Sequence, residues 1–107
     1  MEFQVLKDAN LVRQKEWDKE GVISLSYRGN ELAGEVGEAC NIIKKLERES
    51  LGIRGTTATA LDAAKELADI VICVDLIASA LNIDLWEAIR SKFNETSEKY
   101  GLKTRIC

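Results

Sequence analysis

Apolar residues recur every three to four positions along most of the chain and proline is absent, so the pattern predicts helices and no strand. Four helices are expected. The first runs from about Phe3 to Lys19, with Leu6, Ala9, Arg13 and Trp17 along one side. The second runs from about Tyr27 to Arg48, with Leu32, Val36, Ala39, Ile43 and Leu46 as a core stripe. The third covers roughly Thr57 to Leu81. It is apolar nearly all round from Leu67 onward, which marks it as the central, buried helix. The fourth opens at Asp84, where Glu87 three residues later resembles a capping box with Asp in place of Ser or Thr, and it turns Leu85, Ile89 and Phe93 inward. Two glycines between Glu49 and Thr56 predict the loop that reverses direction between the second and third helices.

Certain polar positions in this pattern carry chemistry. Glu35 with Glu38, and Glu66 with Asp69, are acids three residues apart, so each pair projects two carboxylates from one helix face. An antiparallel hairpin can set both pairs at similar height, which permits a four-carboxylate site. Crowded carboxylates repel, and a hard divalent cation removes the repulsion. Oxygen-only ligand sets suit Mg²⁺, Mn²⁺ or Ca²⁺, whereas zinc and non-haem iron sites usually add His or Cys. The chain has no His, which argues against the Glu-x-x-His motifs of ferritin-like di-iron bundles. Mg²⁺ is the expected cofactor, with Mn²⁺ as the alternative.

At 107 residues the sequence is read as one domain, residues 1–107, and its net charge of -3 gives no general attraction to a nucleic-acid backbone or an anionic membrane. Cys40, Cys73 and Cys107 have no CxxC spacing, and the first two lie among aliphatic neighbours, as small core residues do. The apolar run from Leu67 to Leu81 is short for a membrane span and carries Asp69 and Asp75. With no basic, leader-like opening segment, a cytoplasmic location is expected. The tail from Lys103 to Cys107 is expected to fray or to pack on another subunit.

Glu35-Val36-Gly37-Glu38 followed, after the hairpin, by Glu66-Leu67-Ala68-Asp69 resembles the ExxE and ExxD signature of the MazG-like, all-α nucleoside triphosphate pyrophosphohydrolases. The stretch from Asn30 to Glu38 looks like that family's Gly-Glu-x-Gly-Glu segment. Lys65 to Asp69 looks like its second motif, and Trp17 and the stretch from Lys92 to Gly101 also match, so the likeness covers about the whole chain. Gly34 and Gly37 each cost about 1 kcal/mol in a helix interior relative to Ala, which points to some close approach to the second helix. The resemblance implies a four-helix bundle completed by assembly into a homodimer or homotetramer. It implies hydrolysis of an NTP or dNTP to the monophosphate and pyrophosphate, as in nucleotide-pool housecleaning. It makes Glu35, Glu38, Glu66 and Asp69 the metal ligands and gives Glu35 and Glu38 a catalytic part, while leaving open which acid, Glu31 included, activates the water.

Five residues are candidates for substrate contact: Trp17, Glu31, Lys45, Lys92 and Asn94. Trp17 could stack on a base, worth about 1 to 3 kcal/mol, or anchor the core. Glu31 continues the acidic stripe through Glu35 and Glu38, and Lys45 lies seven residues beyond Glu38 on it; a solvated side chain is the plain reading of both. Lys92 matches a family lysine near the triphosphate, whereas Asn94 stands two positions before the site where some relatives carry asparagine and this chain has Thr96. Asp75 is off the stripe, so a capping or interface role explains it as well as chemistry does. Two other functions fit the same acids: a phosphoribosyl-ATP pyrophosphohydrolase-like enzyme, and a non-enzymatic helical interaction module with a structural cation site. A structural site binds metal regardless of nucleotide, whereas the enzyme binds it more tightly with one.

Overall fold

The computed structural model describes residues 2–107, and within them it is all helical, with four helices and no strand. The elements are α1 (Glu2–Trp17), α2 (Leu25–Ser50), α3 (Ala60–Ala80) and α4 (Leu85–Lys99). Side chains at the helix starts fix three of these beginnings. Ser24 accepts the Tyr27 backbone N–H at 3.1 Å to open α2. Thr59 and Asp62 form a reciprocal capping box at α3, which the sequence reading missed by starting that helix at Thr57. Asp84 accepts the Glu87 N–H at 3.1 Å to open α4, as expected, but only half of that box forms, because the Glu87 carboxylate binds Arg90 instead.

α2 ends where Gly52 takes a left-handed φ of 70° and lets Ile53 N–H reach back to Arg48 C=O at 3.0 Å. Arg48 then donates to the Thr56 carbonyl at 2.6 Å, closing the loop on which the chain reverses. The resulting α2–α3 hairpin is antiparallel: Arg28 lies beside Cys73 at one end and Glu38 beside Glu66 further along. α1 lies on α3, held by Asn10, which is buried and donates to the Asp75 carboxylate at 2.9 Å and to Ile72 C=O at 3.2 Å. No helix of the described residues is long and apolar enough to cross a membrane.

Several packing expectations change. The Asn10 contact turns α1 so that Phe3, Leu6, Asn10 and Gln14 face inward, leaving Ala9, Arg13 and Trp17 exposed. On α2, Leu32, Ala39 and Leu46 are covered but Val36 and Ile43 are not, and Cys40 is exposed rather than in the core; Cys73 is buried. On α3 only Cys73, Asp75, Leu76 and Ala78 are buried, while Leu67 and Val71 face outward. A Cβ at Gly34 or Gly37 would meet nothing within 4 Å, so the close approach expected there is not made within this chain. Nor does the tail fray: Asn94 grips Ile106 with both ends of its amide, at 2.9 and 2.8 Å.

α4 departs most from a closed bundle. It meets the body chiefly at its first turn, where Phe3 and Trp86 stack with ring centroids 5.4 Å apart, and the rest extends outward with Phe93 uncovered. The dimensions record this openness. The radius of gyration is 17.2 Å, against about 13 Å for a compact chain of this length. The accessible surface is 7999 Å², against about 6,000 Å² for a folded monomer of 11.9 kDa.

Candidate metal centre

The hairpin brings Glu35 and Glu38 of α2 against Glu66 of α3, with one oxygen from each carboxylate within 4.8 Å of the other two. Glu35 and Glu66 are half-buried and Glu38 is exposed. One oxygen of Glu35 and one of Glu66, both Oε2, are buried with no hydrogen-bond partner. Ionised carboxylates only accept, so three of them in contact cannot satisfy one another; a proton or a cation has to enter. Loss of water pushes the Glu35 carboxyl above its ordinary range, and the charges of Glu38, Asp69 and Glu66 push it further. Glu66 is raised too, by loss of water first, then by its contact with Glu38 and the charges of Glu38, Asp69 and Asp62.

A divalent cation fits these residues. An octahedral Mg²⁺ with bonds of 2.0 to 2.1 Å sets its ligand oxygens about 3 to 4 Å apart, so modest side-chain rotation closes the three acids on one ion. Asp69, the fourth expected ligand, is exposed and outside the tight trio, one turn along α3, where its charge bears on both Glu35 and Glu66.

Beside the acids lies a cleft of about 110 Å³ between α1 and the hairpin, lined by Trp17, Arg28, Glu31, Glu35, Asp69 and Ile72 among others. That volume is below the roughly 300 to 1,000 Å³ of a whole ligand site, so the cleft can hold only part of a ligand. Trp17 stands at it 63% exposed, with the Arg13 guanidinium 5.1 Å from its ring centre. Glu31 is engaged: its Oε1 accepts from Arg28 Nη1 at 3.0 Å and lies 3.5 Å from Cys73 Sγ. Burial above all, with Glu31 second, pushes the Cys73 thiol up to about 11, which keeps it an inert neutral group.

The other candidates stand apart from this cleft. Lys45 is half-buried on α2, and its charge acts with that of Lys65 on Asp62, which the Thr59 backbone and hydroxyl already hold below the usual carboxylate range. Lys92 pairs with Glu95 at 3.4 Å on the exposed surface of α4, and Asn94 on the same helix is occupied by Ile106. No α4 residue lines the cleft beside the acids.

The sequence reading missed Arg28. It is 5% exposed, and its Nη2 is buried without an acceptor. Its signal was the spacing of positions 28, 31, 35 and 38, which extends the acidic stripe by one turn and places a cation at its end. The centre therefore joins an acceptor-only cluster to an aromatic face and two guanidinium groups, a combination that can take an anion through a bridging cation and a flat group beside it. Comparison of the chain with protein-family models, with curated proteins and with solved structures found no match.

Proposed function

We propose that the chain is a metal-dependent nucleoside triphosphate pyrophosphohydrolase of the MazG-like type, cleaving an NTP or dNTP to the monophosphate and pyrophosphate in cytoplasmic housecleaning of nucleotide pools. The observation that carries this reading is the meeting of Glu35, Glu38 and Glu66 across the hairpin with two buried, unpartnered oxygens. The ExxE and ExxD motifs that resemble the family are the ones that supply those acids. Glu35, Glu38 and Glu66 would hold Mg²⁺ or Mn²⁺, and Asp69 adds a fourth negative charge beside them. When bound, the cation neutralises phosphate oxygens and lowers the pKa of water. Without it, a polyphosphate of about four negative charges is repelled by the acids.

The chain's remaining residues orient the substrate. The exposed face of Trp17 offers a base a stacking surface, and Arg28 and Arg13 bring positive charge to the cleft. Lys92 lies on a helix that does not border the acids of its own chain, so a phosphate contact from it would have to come from another copy, whereas the Asn94 amide is taken up by Ile106. A homodimer or homotetramer is accordingly part of the proposal. It also accounts for the surplus of roughly 2,000 Å² over the accessible surface of a folded monomer.

The test is to incubate the protein with each common NTP and dNTP plus Mg²⁺ or Mn²⁺ and to resolve the products by ion exchange. Monophosphate and pyrophosphate in equal amounts are expected. Diphosphate with orthophosphate as primary products refutes the cleavage position. Absence of turnover on every triphosphate favours a helical interaction module with a structural cation.

A further inference from the structure

Arg28 carries more donors into the fold than the chain satisfies. Its guanidinium is a planar fork of N–H groups; Nη1 donates to Glu31 Oε1 at 3.0 Å, while Nη2 is buried with no acceptor. The residue is 5% exposed, so bulk water does not meet that demand. A buried charged donor left unpaired is costly, and an acceptor seated in the adjoining cleft removes the cost. Glu31 is open on the same side. Its Oε1 is committed to Arg28 and Cys73, whereas its Oε2 has no partner among the described residues and the side chain is 34% exposed. A charged donor and an acceptor thus stand next to each other in a cleft that the exposed Trp17 ring also lines, with Ile72 and Leu76 as its apolar lining.

Charge and size select the occupant. Three carboxylates, Glu31, Glu35 and Asp69, line the cleft against two guanidinium groups, Arg13 and Arg28, so its walls disfavour a phosphate that arrives without a cation. At about 110 Å³ it takes the edge of a planar ring rather than a whole nucleotide. From this we infer that Arg28 and Glu31 read the edge of the substrate's base, Arg28 Nη2 donating to a ring carbonyl and Glu31 Oε2 accepting the neighbouring ring N–H. The preferred substrates are then nucleotides whose base carries a carbonyl beside a ring N–H: guanine, hypoxanthine, uracil and thymine. Adenine and cytosine put an amino group where those bases carry the carbonyl, so donor meets donor and the Arg28 charge stays unpaired. Phosphates tied to a cation at the acids hold the base in one register, which keeps it from sliding to a better match. The inference rests on the pyrophosphohydrolase reading above, and it gives Glu31 a part other than activating the water.

Matched nucleosides isolate this edge: inosine differs from adenosine, and uridine from cytidine, only in having carbonyl and ring N–H in place of amino group and ring nitrogen. Calorimetric titration of the full chain in Mg²⁺ with their α,β-methylene triphosphates, which resist cleavage at that position, should favour the carbonyl member of each pair by about 5- to 150-fold in Kd. Arg28→Gln should bring that ratio close to one, and Glu31→Gln should lower it. A merely structural Arg28 would weaken both members of a pair alike and leave the ratio unchanged, and the wild-type ratio decides the matter even where a variant fails to fold. Equal affinity within each pair, preference for the amino member, or a preference that both variants retain overturns the inference. Equal affinity with monophosphate and pyrophosphate released from the natural triphosphates overturns it alone. A carbonyl preference without hydrolysis of any natural triphosphate overturns the pyrophosphohydrolase reading alone, and no binding of any of the four analogues overturns both.

Discussion

Glu35 on α2 and Glu66 on α3 approach across the hairpin, each with one carboxylate oxygen buried and unpartnered. Both hold their protons above the ordinary glutamate value of 4.5. A group whose pKa rises on folding stabilises the fold below its unfolded value, and that contribution is lost as pH rises through the folded one. In chelator, the melting temperature should therefore fall as pH climbs upward from about 4.5 into the range where the two acids ionise. Millimolar Mg²⁺ at neutral pH should reverse the fall. A metal-free melting temperature that rises steadily over that interval contradicts the crowded-acid centre.

Neutralising one acid should separate stability from function. Glu38→Gln and Asp69→Asn keep shape while removing repulsion, so the metal-free protein should melt at the same temperature or higher. The stabilising response to Mg²⁺ should shrink or vanish, and any nucleotide turnover should drop by about 10- to 100-fold. Near wild-type turnover at saturating Mg²⁺ in either variant rules out the four-acid site. Calorimetric titration with Mg²⁺ gives the same answer without relying on activity.

Asn10→Ala removes the donor from a buried carboxylate, Asp75, and should destabilise the fold by about 1 to 3 kcal/mol in urea at fixed protein concentration. Trp17 should become more mobile, since α1 owes its register on α3 to that contact. A change under half a kcal/mol means that Asp75 finds another partner.

Thiol reactivity gives a compact check of the core. Cys73, with its pKa near 11 and its side chain buried, should be the last thiol to react with a maleimide at neutral pH, and peptide mapping should find it modified only after denaturation. Early labelling of Cys73 would mean that the hairpin opens at its Arg28 end.

Features set by neighbours along the chain were legible in the sequence. The Asp84 cap, the glycine-bearing turn after α2 and the two acid pairs are local patterns, and the short hairpin brings Glu35, Glu38 and Glu66 together with little further information. Features set by side-chain choice across helices were not. The pattern left Trp17 open between a core anchor and a stacking face, and the ring stands exposed on the helix whose buried side is set by Asn10 bonding to Asp75. Phe93 and Cys40, read as inward-facing from their apolar neighbours, are exposed, because apolar periodicity does not say which helix will lie against it. Asn94 looked like a phosphate contact because nothing in the local pattern announces that Ile106, twelve residues on, will take both ends of its amide.

The two tryptophans occupy unlike places: Trp17 is bare beside the acids under the Arg13 guanidinium, whereas Trp86 is half-covered against Phe3 at the root of α4. The molecule thus carries two intrinsic fluorophores in different solvent environments. Ligand arrival should quench the red-emitting ring at Trp17, and disturbance at the base of α4 should shift the bluer one at Trp86. Replacing each in turn by Phe would let an unlabelled protein report events in the cleft and events at the base of α4 on separate optical channels.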